Sequence, residues 1–160
     1  MDHSKNIQIV LEFYTAFANR DAQAMAEHYH ADCTFSDPVF GELNHARVTA
    51  MWTMLCTRGK DLSVQLVEVL DVPAGVVAIW TADYSYGKAQ RQVHNRINAS
   101  FEFKDGRIFR HRDEFNLWNW SRMAFGAPGL FLGWTGTFKR TIQRNAILSL
   151  ERFRDKQNPA

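Results

Sequence analysis

The sequence predicts an α+β domain in which helices come first, a meander of long antiparallel strands follows, and a helical extension closes the chain. Three observations carry that expectation. Apolar residues recur at helical spacing up to about residue 58, they alternate from residue 62 onward, and Gly- and Asp-containing turns cut the alternating part into four segments. The 160 residues, 46% hydrophobic and 22% charged, fit one globular domain large enough to bury a core without a metal or disulfide.

Residues 4–19, SKNIQIVLEFYTAFAN, put Ile7, Val10, Leu11, Tyr14 and Phe17 on one face of a first helix. Asp21 is a natural N-cap for a second helix, AQAMAEHYH. CTFS, residues 33–36, reads as a short strand that ends at Asp37, which Pro38 holds in extended geometry. After a loop over 38–41, Asn44 caps a third helix whose apolar face is Val48, Met51, Trp52 and Leu55, and Gly59 ends it.

The strands come next. LSVQLVEVLDV alternates, with a slip at Leu66–Val67 that predicts a bulge. PAG turns the chain into VVAIWTADYSY, and Gly87–Gln90 turns it again into RQVHNRINASFEF, where Val93, Ile97, Ala99, Phe101 and Phe103 share a side. KDGR is the strongest hairpin signal, because Asp-Gly suits a two-residue turn. IFRHRDEFNLW is the last strand. Residues 119–157 differ: NWSRMAFGAPGLFLGWTG is aromatic and glycine-rich, and Phe138, Ile142, Ile147, Leu150 and Phe153 mark a final amphipathic helix. The division expected is a domain over 1–118 and a helical extension over 119–160 that packs on it, covering the sheet or the open end.

Several function classes lose support here. Residues 1–86 carry 5 basic and 11 acidic side chains, hence −6, and residues 87–160 carry 14 and 6, hence +8. The arginines alternate with apolar residues and form no basic run, so no nucleic-acid partner is expected. Acidic residues on the polar side of the final helix, and a large domain to pack against, argue against a membrane partner. Cys33 and Cys56 read as inert buried thiols. With no secretory signal and no apolar run of spanning length, the expected location is cytoplasmic. No Cys or His cluster has zinc spacing, and there is neither a phosphate loop nor a Gly-x-Ser-x-Gly nucleophile, so no metal or cofactor is expected.

Two places could carry chemistry. Asp37 either closes a local turn or points into a cavity. On the last strand Phe109, His111, Asp113 and Phe115 share one face, and a carboxylate among phenylalanines needs a partner, which His111 can supply. Asn95 shares the face of Val93, Ile97 and Ala99 on the neighbouring strand and adds an uncharged donor. A carboxylate in an apolar pocket is pushed toward the pH range where it exchanges protons with a substrate, and histidine already titrates there.

With FYTAFANRDAQAMAEHYHADCTFSDP at its head and FKDGRIFRHRDEFNLW at its tail, the stretch from about residue 5 to 118 resembles the nuclear transport factor 2-like superfamily. That group includes ketosteroid isomerases, limonene epoxide hydrolases and SnoaL-like polyketide cyclases. The resemblance implies a cone-shaped α+β barrel, with a curved, mostly antiparallel sheet wrapped around helices and an apolar pocket. It also implies a homodimer through the outward sheet face that carries Arg96, Asn98 and Ser100.

Residue by residue, Asp37-Pro38 matches the general-base aspartate of the isomerases. Phe13 falls on their oxyanion tyrosine, with Tyr14 one residue off, and Ala99 stands where they have a second aspartate. Asp113 and Asp83 match the two aspartates of the epoxide hydrolases, but Thr81 replaces their arginine, and Phe35 and Asp37 replace the tyrosine and asparagine that hold water. His111 with Asp113 meets in kind the His/Asp pair of the cyclases. The resemblance therefore implies cofactor-free acid–base chemistry (isomerase, cyclase or hydrolase) on a small apolar molecule. Asp37, His111 and Asp113 would be catalytic, and Tyr14, Phe35, Asp83 and Asn95 would contact ligand. A non-catalytic carrier of an apolar ligand and a dimeric interaction domain stay open as alternatives.

Overall fold

The computed structural model describes residues 3–157. Its elements are α1 (His3–Ala18), α2 (Ala22–Glu27), β1 (Tyr29–Asp37), β2 (Gly41–Asn44), α3 (His45–Arg58), β3 (Ser63–Val72), β4 (Gly75–Tyr86), β5 (Arg91–Lys104), β6 (Arg107–Glu114), α4 (Leu117–Phe125), α5 (Ala127–Leu132) and α6 (Gly136–Gln157). The strands form one curved, unclosed sheet in the order β2-β1-β6-β5-β4-β3. Every neighbouring pair is antiparallel except β1 with β6. Helices α1 and α3 lie against it, so Val10, Phe13 and Phe17 of α1 and Met51 and Trp52 of α3 share one core with Phe35, Ala78, Trp80 and Phe101 of the strands. This is the expected α+β cone.

Local signals explain most boundaries. The Asp21 side chain accepts from the Ala24 amide at the start of α2, and Asn44 does the same for Arg47 at the start of α3. The β3–β4 register slips between Leu66 and Glu68, where the alternation of the sequence slips. At the β5–β6 hairpin Asp105 and Gly106 both take positive φ, 52° and 70°, the geometry of the turn that Asp-Gly favours.

Four expectations need correction. The second helix stops at Glu27, and Tyr29 and His30 belong to β1. The Ile108 amide donates to the His28 carbonyl at 2.8 Å, and Tyr29 pairs with Ile108, so β6 draws this segment into the sheet. The expected loop runs directly into β2, whose four residues fold back on β1 with Gly41 opposite Asp37. The last strand ends at Glu114, because Asn116 accepts from the Asn119 amide and starts α4. Finally, Phe109 does not share the inward face: the β5–β6 register shifts so that Phe103 faces Ile108, and Phe109 lies instead beside His30, Lys104 and Arg110.

The extension folds as α4, α5 and α6. Trp120, Ala124 and Ile142 bury against Val93, with Tyr84, Phe115 and Phe138 around them. Helix α6 also runs along α3, where Arg47 pairs with Glu151 at 2.9 Å and Arg58 donates to Ser149 at 2.8 Å. Leu150 is fully buried in the main core. Among the described residues no helix is long and apolar enough to cross a membrane. Cys33 and Cys56 are free thiols, and burial pushes both up to about 11.

Candidate functional site

Deep in the cone, four side chains from three elements form one hydrogen-bonded chain. The Trp52 indole N–H donates to the Tyr29 oxygen at 3.0 Å, Tyr29 Oη lies 2.6 Å from His111 Nδ1, and His111 Nε2 lies 3.0 Å from Asp113 Oδ1. Burial, joined by the field of Asp113, holds the Tyr29 phenol well above its ordinary pKa, although the Trp52 N–H opposes this. Tyr29 therefore keeps its proton. With Trp52 filling the acceptor side of the phenol, that proton points to Nδ1, which leaves the imidazole proton on Nε2, aimed at Asp113. Each donor is matched, and the chain ends on a carboxyl group.

Rings wall in His111. Phe101 lies 4.2 Å away between centroids, Phe35 5.0 Å and Phe13 5.6 Å, while Tyr29 and Trp52 stack at 6.1 Å. Its side chain has no exposed surface, and that of Asp113 is 4% exposed. The histidine is thus enclosed between Tyr29 and Asp113, with no exposed surface of its own. The alternation along β6 explains the arrangement, since His111 and Asp113 point inward while Arg110, Arg112 and Glu114 are exposed.

Asp37 lies at the mouth, where β1 ends. Its Oδ1 accepts from the Val39 amide at 2.9 Å and from the Phe40 amide, so the carboxylate does close the Asp37–Gly41 turn. It is also half-buried. Burial raises its pKa from an ordinary 3.8 to about 7, the Phe40 N–H opposes that rise, and the charge of Asp113 adds to it. The turn-closing reading of Asp37 is thus observed directly. Tyr84 is the next polar group: burial lifts its phenol to about 12, with a contribution from Asp37, and its oxygen accepts from Trp120 Nε1 at 2.8 Å. Trp120 belongs to α4, and α6 reaches the same turn through Gln143 Nε2, 3.3 Å from the Pro38 carbonyl. The extension therefore covers the Asp37 end of the cone.

Among the described residues, the buried side-chain atoms Tyr14 Oη and Trp80 Nε1 have no hydrogen-bond partner. Their rings touch, with centroids 5.6 Å apart. Burial keeps the Tyr14 phenol protonated far above its ordinary pKa, and Asp113 adds to the effect, which puts the two groups within electrostatic reach. A buried donor left unpaired costs about 1–3 kcal/mol, so two of them in one wall call for an acceptor.

Tyr14, His111 and Asp113 are buried in the interior and Phe35 stands in the ring wall, while Asp37 is half-buried at the end of β1. Asn95 is 8% exposed on the inner face of β5, opposite Ala82. Asp83 is elsewhere. It stands on the outer face, where Oδ1 meets His94 Nδ1 at 2.6 Å and half of its side chain is exposed. The reason is phase: Ala82 and Tyr84 take the inward positions of β4, opposite Asn95 and Val93. Sequence reasoning missed Tyr29, Trp52, Trp80, Tyr84 and Trp120 as polar participants. Their apolar bulk reads as core, and only burial of an N–H or O–H reveals the need for a partner. Two shallow surface depressions, of about 330 and 360 Å³, lie over α1–α2 and beside His30 and His45, away from Asp37 and Asp113.

Comparison with known proteins adds the following. The profile of the SnoaL-like domain family matches residues 10–111. No curated protein sequence matches the chain. Among solved structures, Bal32a from a soil-derived mobile gene cassette is similar, with a TM-score of 0.69 at 20% identity, over 78% of this chain and 99% of that one. An LEH-like epoxide hydrolase of M. tuberculosis superimposes with a TM-score of 0.66 at 20% identity, over 82% and 96%. A putative isomerase from Bacillus subtilis gives 0.65 at 19%, over 79% and 96%. At such identities these structures share the fold.

Proposed function

The chain belongs to the SnoaL-like domain family, within the nuclear transport factor 2-like superfamily, and on that premise we propose that it performs cofactor-free acid–base chemistry on a small, mostly apolar carbonyl compound. Asp37 is the base in this reading. It takes a proton from the carbon next to the carbonyl and returns it to the same or a neighbouring carbon, which makes the net reaction an exchange or an isomerisation. The oxygen, as it gains charge, takes hydrogen bonds from Tyr14 and Trp80, the donors that lack partners in the wall. The phenol of Tyr14 stays protonated, so it donates without surrendering its proton. His111, Tyr29 and Trp52 are positioning residues that fix Asp113.

The observation that carries this proposal is the carboxylate at the mouth, poised near neutrality at about 7. Carbon-detected NMR of Asp37 should give a titration midpoint near that value; an ordinary carboxylate midpoint overturns the reading. Exchange of the hydrogens beside the carbonyl of small apolar ketones in deuterium oxide should then fall by about a hundredfold or more in Asp37→Asn. It should fall less in Tyr14→Phe. The tight ring wall around His111 favours one rival, a domain that holds an apolar ligand without turning it over. That rival predicts binding that Tyr14→Phe weakens, with no exchange at any pH.

A further inference from the structure

The glycine-rich start of the extension exposes an apolar surface that the acid–base reading does not use. Phe131 is 70% and Trp134 76% exposed, with Leu132 at 50%, Leu130 at 41% and Trp118 at 37%. These side chains are contiguous, since the Trp118 indole donates to the Leu130 carbonyl and the Trp134 indole to the Phe131 carbonyl, both at 3.0 Å. Each indole N–H is thus satisfied by the protein, and water gains little from the exposed rings. Isolated exposed apolar residues are ordinary; a cluster of five around one helix turn marks a contact surface.

The patch is held rigidly. A Cβ added at Gly129 would stand 1.9 Å from the Ser121 carbonyl oxygen, so α5 lies directly on α4 with no room for a side chain between them. Along the chain, the flanking charge has a single sign. From Phe115 to Leu150 the chain has no Asp or Glu, and it carries Arg122, Lys139, Arg140 and Arg144, all exposed. Arg122 stacks over Trp118 at 5.2 Å. Lys139 and Arg140 follow the start of α6 closely, where the helix dipole disfavours cations and no acidic residue compensates.

We propose that the Trp118–Trp134 patch seats on an anionic phospholipid surface, with Phe131 and Trp134 entering the headgroup–acyl boundary and the four cations meeting lipid phosphates. Aromatic side chains beside arginine and lysine are what that boundary accommodates. A second copy of this chain fits less well, because a two-fold contact would bring Arg122, Lys139 and Arg140 against their own copies. The apolar patch precedes the final helix, whose first half supplies Lys139, Arg140 and Arg144, while the acidic residues that disfavour a membrane, Glu151 and Asp155, stand in its last two turns.

Co-sedimentation of the full chain with vesicles of phosphatidylcholine mixed with phosphatidylglycerol tests the proposal, with phosphatidylcholine alone as the control. Binding should need the anionic lipid, weaken with salt, and fall about tenfold or more in Phe131→Ser/Trp134→Ser, whose melting should match the parent. Trp134→Phe should still bind while losing most of the blue shift in tryptophan emission. Absence of binding to either vesicle, or binding that the double variant leaves unchanged, overturns it. So does a concentration-dependent dimer without vesicles that the double variant abolishes, which assigns the patch to a second copy.

Discussion

At the floor of the cone a carboxyl group, Asp113, receives its hydrogen bond from an imidazole that is itself held by a phenol and an indole. At the mouth another, Asp37, receives its hydrogen bonds from the backbone amides of its own turn. Both come from strands that meet in the sheet, β6 and β1. The floor is a closed network, and removing any member orphans a neighbour. The mouth is a half-buried carboxyl group whose proton burial holds more tightly than usual, up to about 7, with only the amides of its own turn as partners. Polar groups that look alike in sequence thus divide into those held by a side-chain network and those held by their own backbone turn.

The largest effect should come from the floor. His111→Leu removes the acceptor of Tyr29 and the donor to Asp113 while keeping the volume apolar. Two buried polar groups, the Tyr29 hydroxyl and the Asp113 carboxyl, then lose their partner, and the expected loss is about 3–5 kcal/mol in urea denaturation. A loss under about 1 kcal/mol would break the comparison, because it would mean that the network fixes little.

The mouth should respond with the opposite sign. Asp37 has a folded pKa raised from 3.8 to about 7. Below the lower value the group is protonated in both states and costs nothing. As pH rises through that window the unfolded chain releases its proton first, so stability falls, and above about 7 the full penalty applies. Asp37→Asn keeps the acceptor for the Val39 and Phe40 amides and carries no charge. At pH 8 it should be more stable than the parent by roughly 2–3 kcal/mol, allowing for the partial exposure of the turn, and near pH 4 the two should coincide. A variant less stable at both pH values would make Asp37 a turn residue and nothing more.

How far the sequence foretold this follows from what each part depends on. The strands, the Leu66 bulge and the Asp105–Gly106 turn were legible because alternation and turn chemistry are local. The inward pair His111 and Asp113 was legible for the same reason. Tyr29 was hidden, since AQAMAEHYH has helical composition and only pairing with β6, far along the chain, makes its end a strand. Asp83 went astray because its strand is apolar on both faces, so composition could not set the phase that Asn95 and Val93 impose from β5. The unpaired atoms of Tyr14 and Trp80 had no sequence signal at all.

The smallest effect sharpens the boundary between the two regions. Gln143 on α6 donates to the Pro38 carbonyl at 3.3 Å, the one side-chain hydrogen bond among those described that ties α6 to the Asp37 turn. Gln143→Ala should cost only about 0.5–1 kcal/mol globally, as befits a long, half-buried hydrogen bond. Its local effect should be larger in kind: amide exchange at Val39 and Phe40 should quicken, while the Phe101 and His111 amides of the floor keep their protection. If the helix acts as a cover over the mouth, a ligand held by Tyr14 should also bind and leave faster in this variant, with affinity nearly unchanged. Equal loss of protection at floor and mouth would show that the two regions open together, and the division between a fixed floor and a responsive mouth would fail.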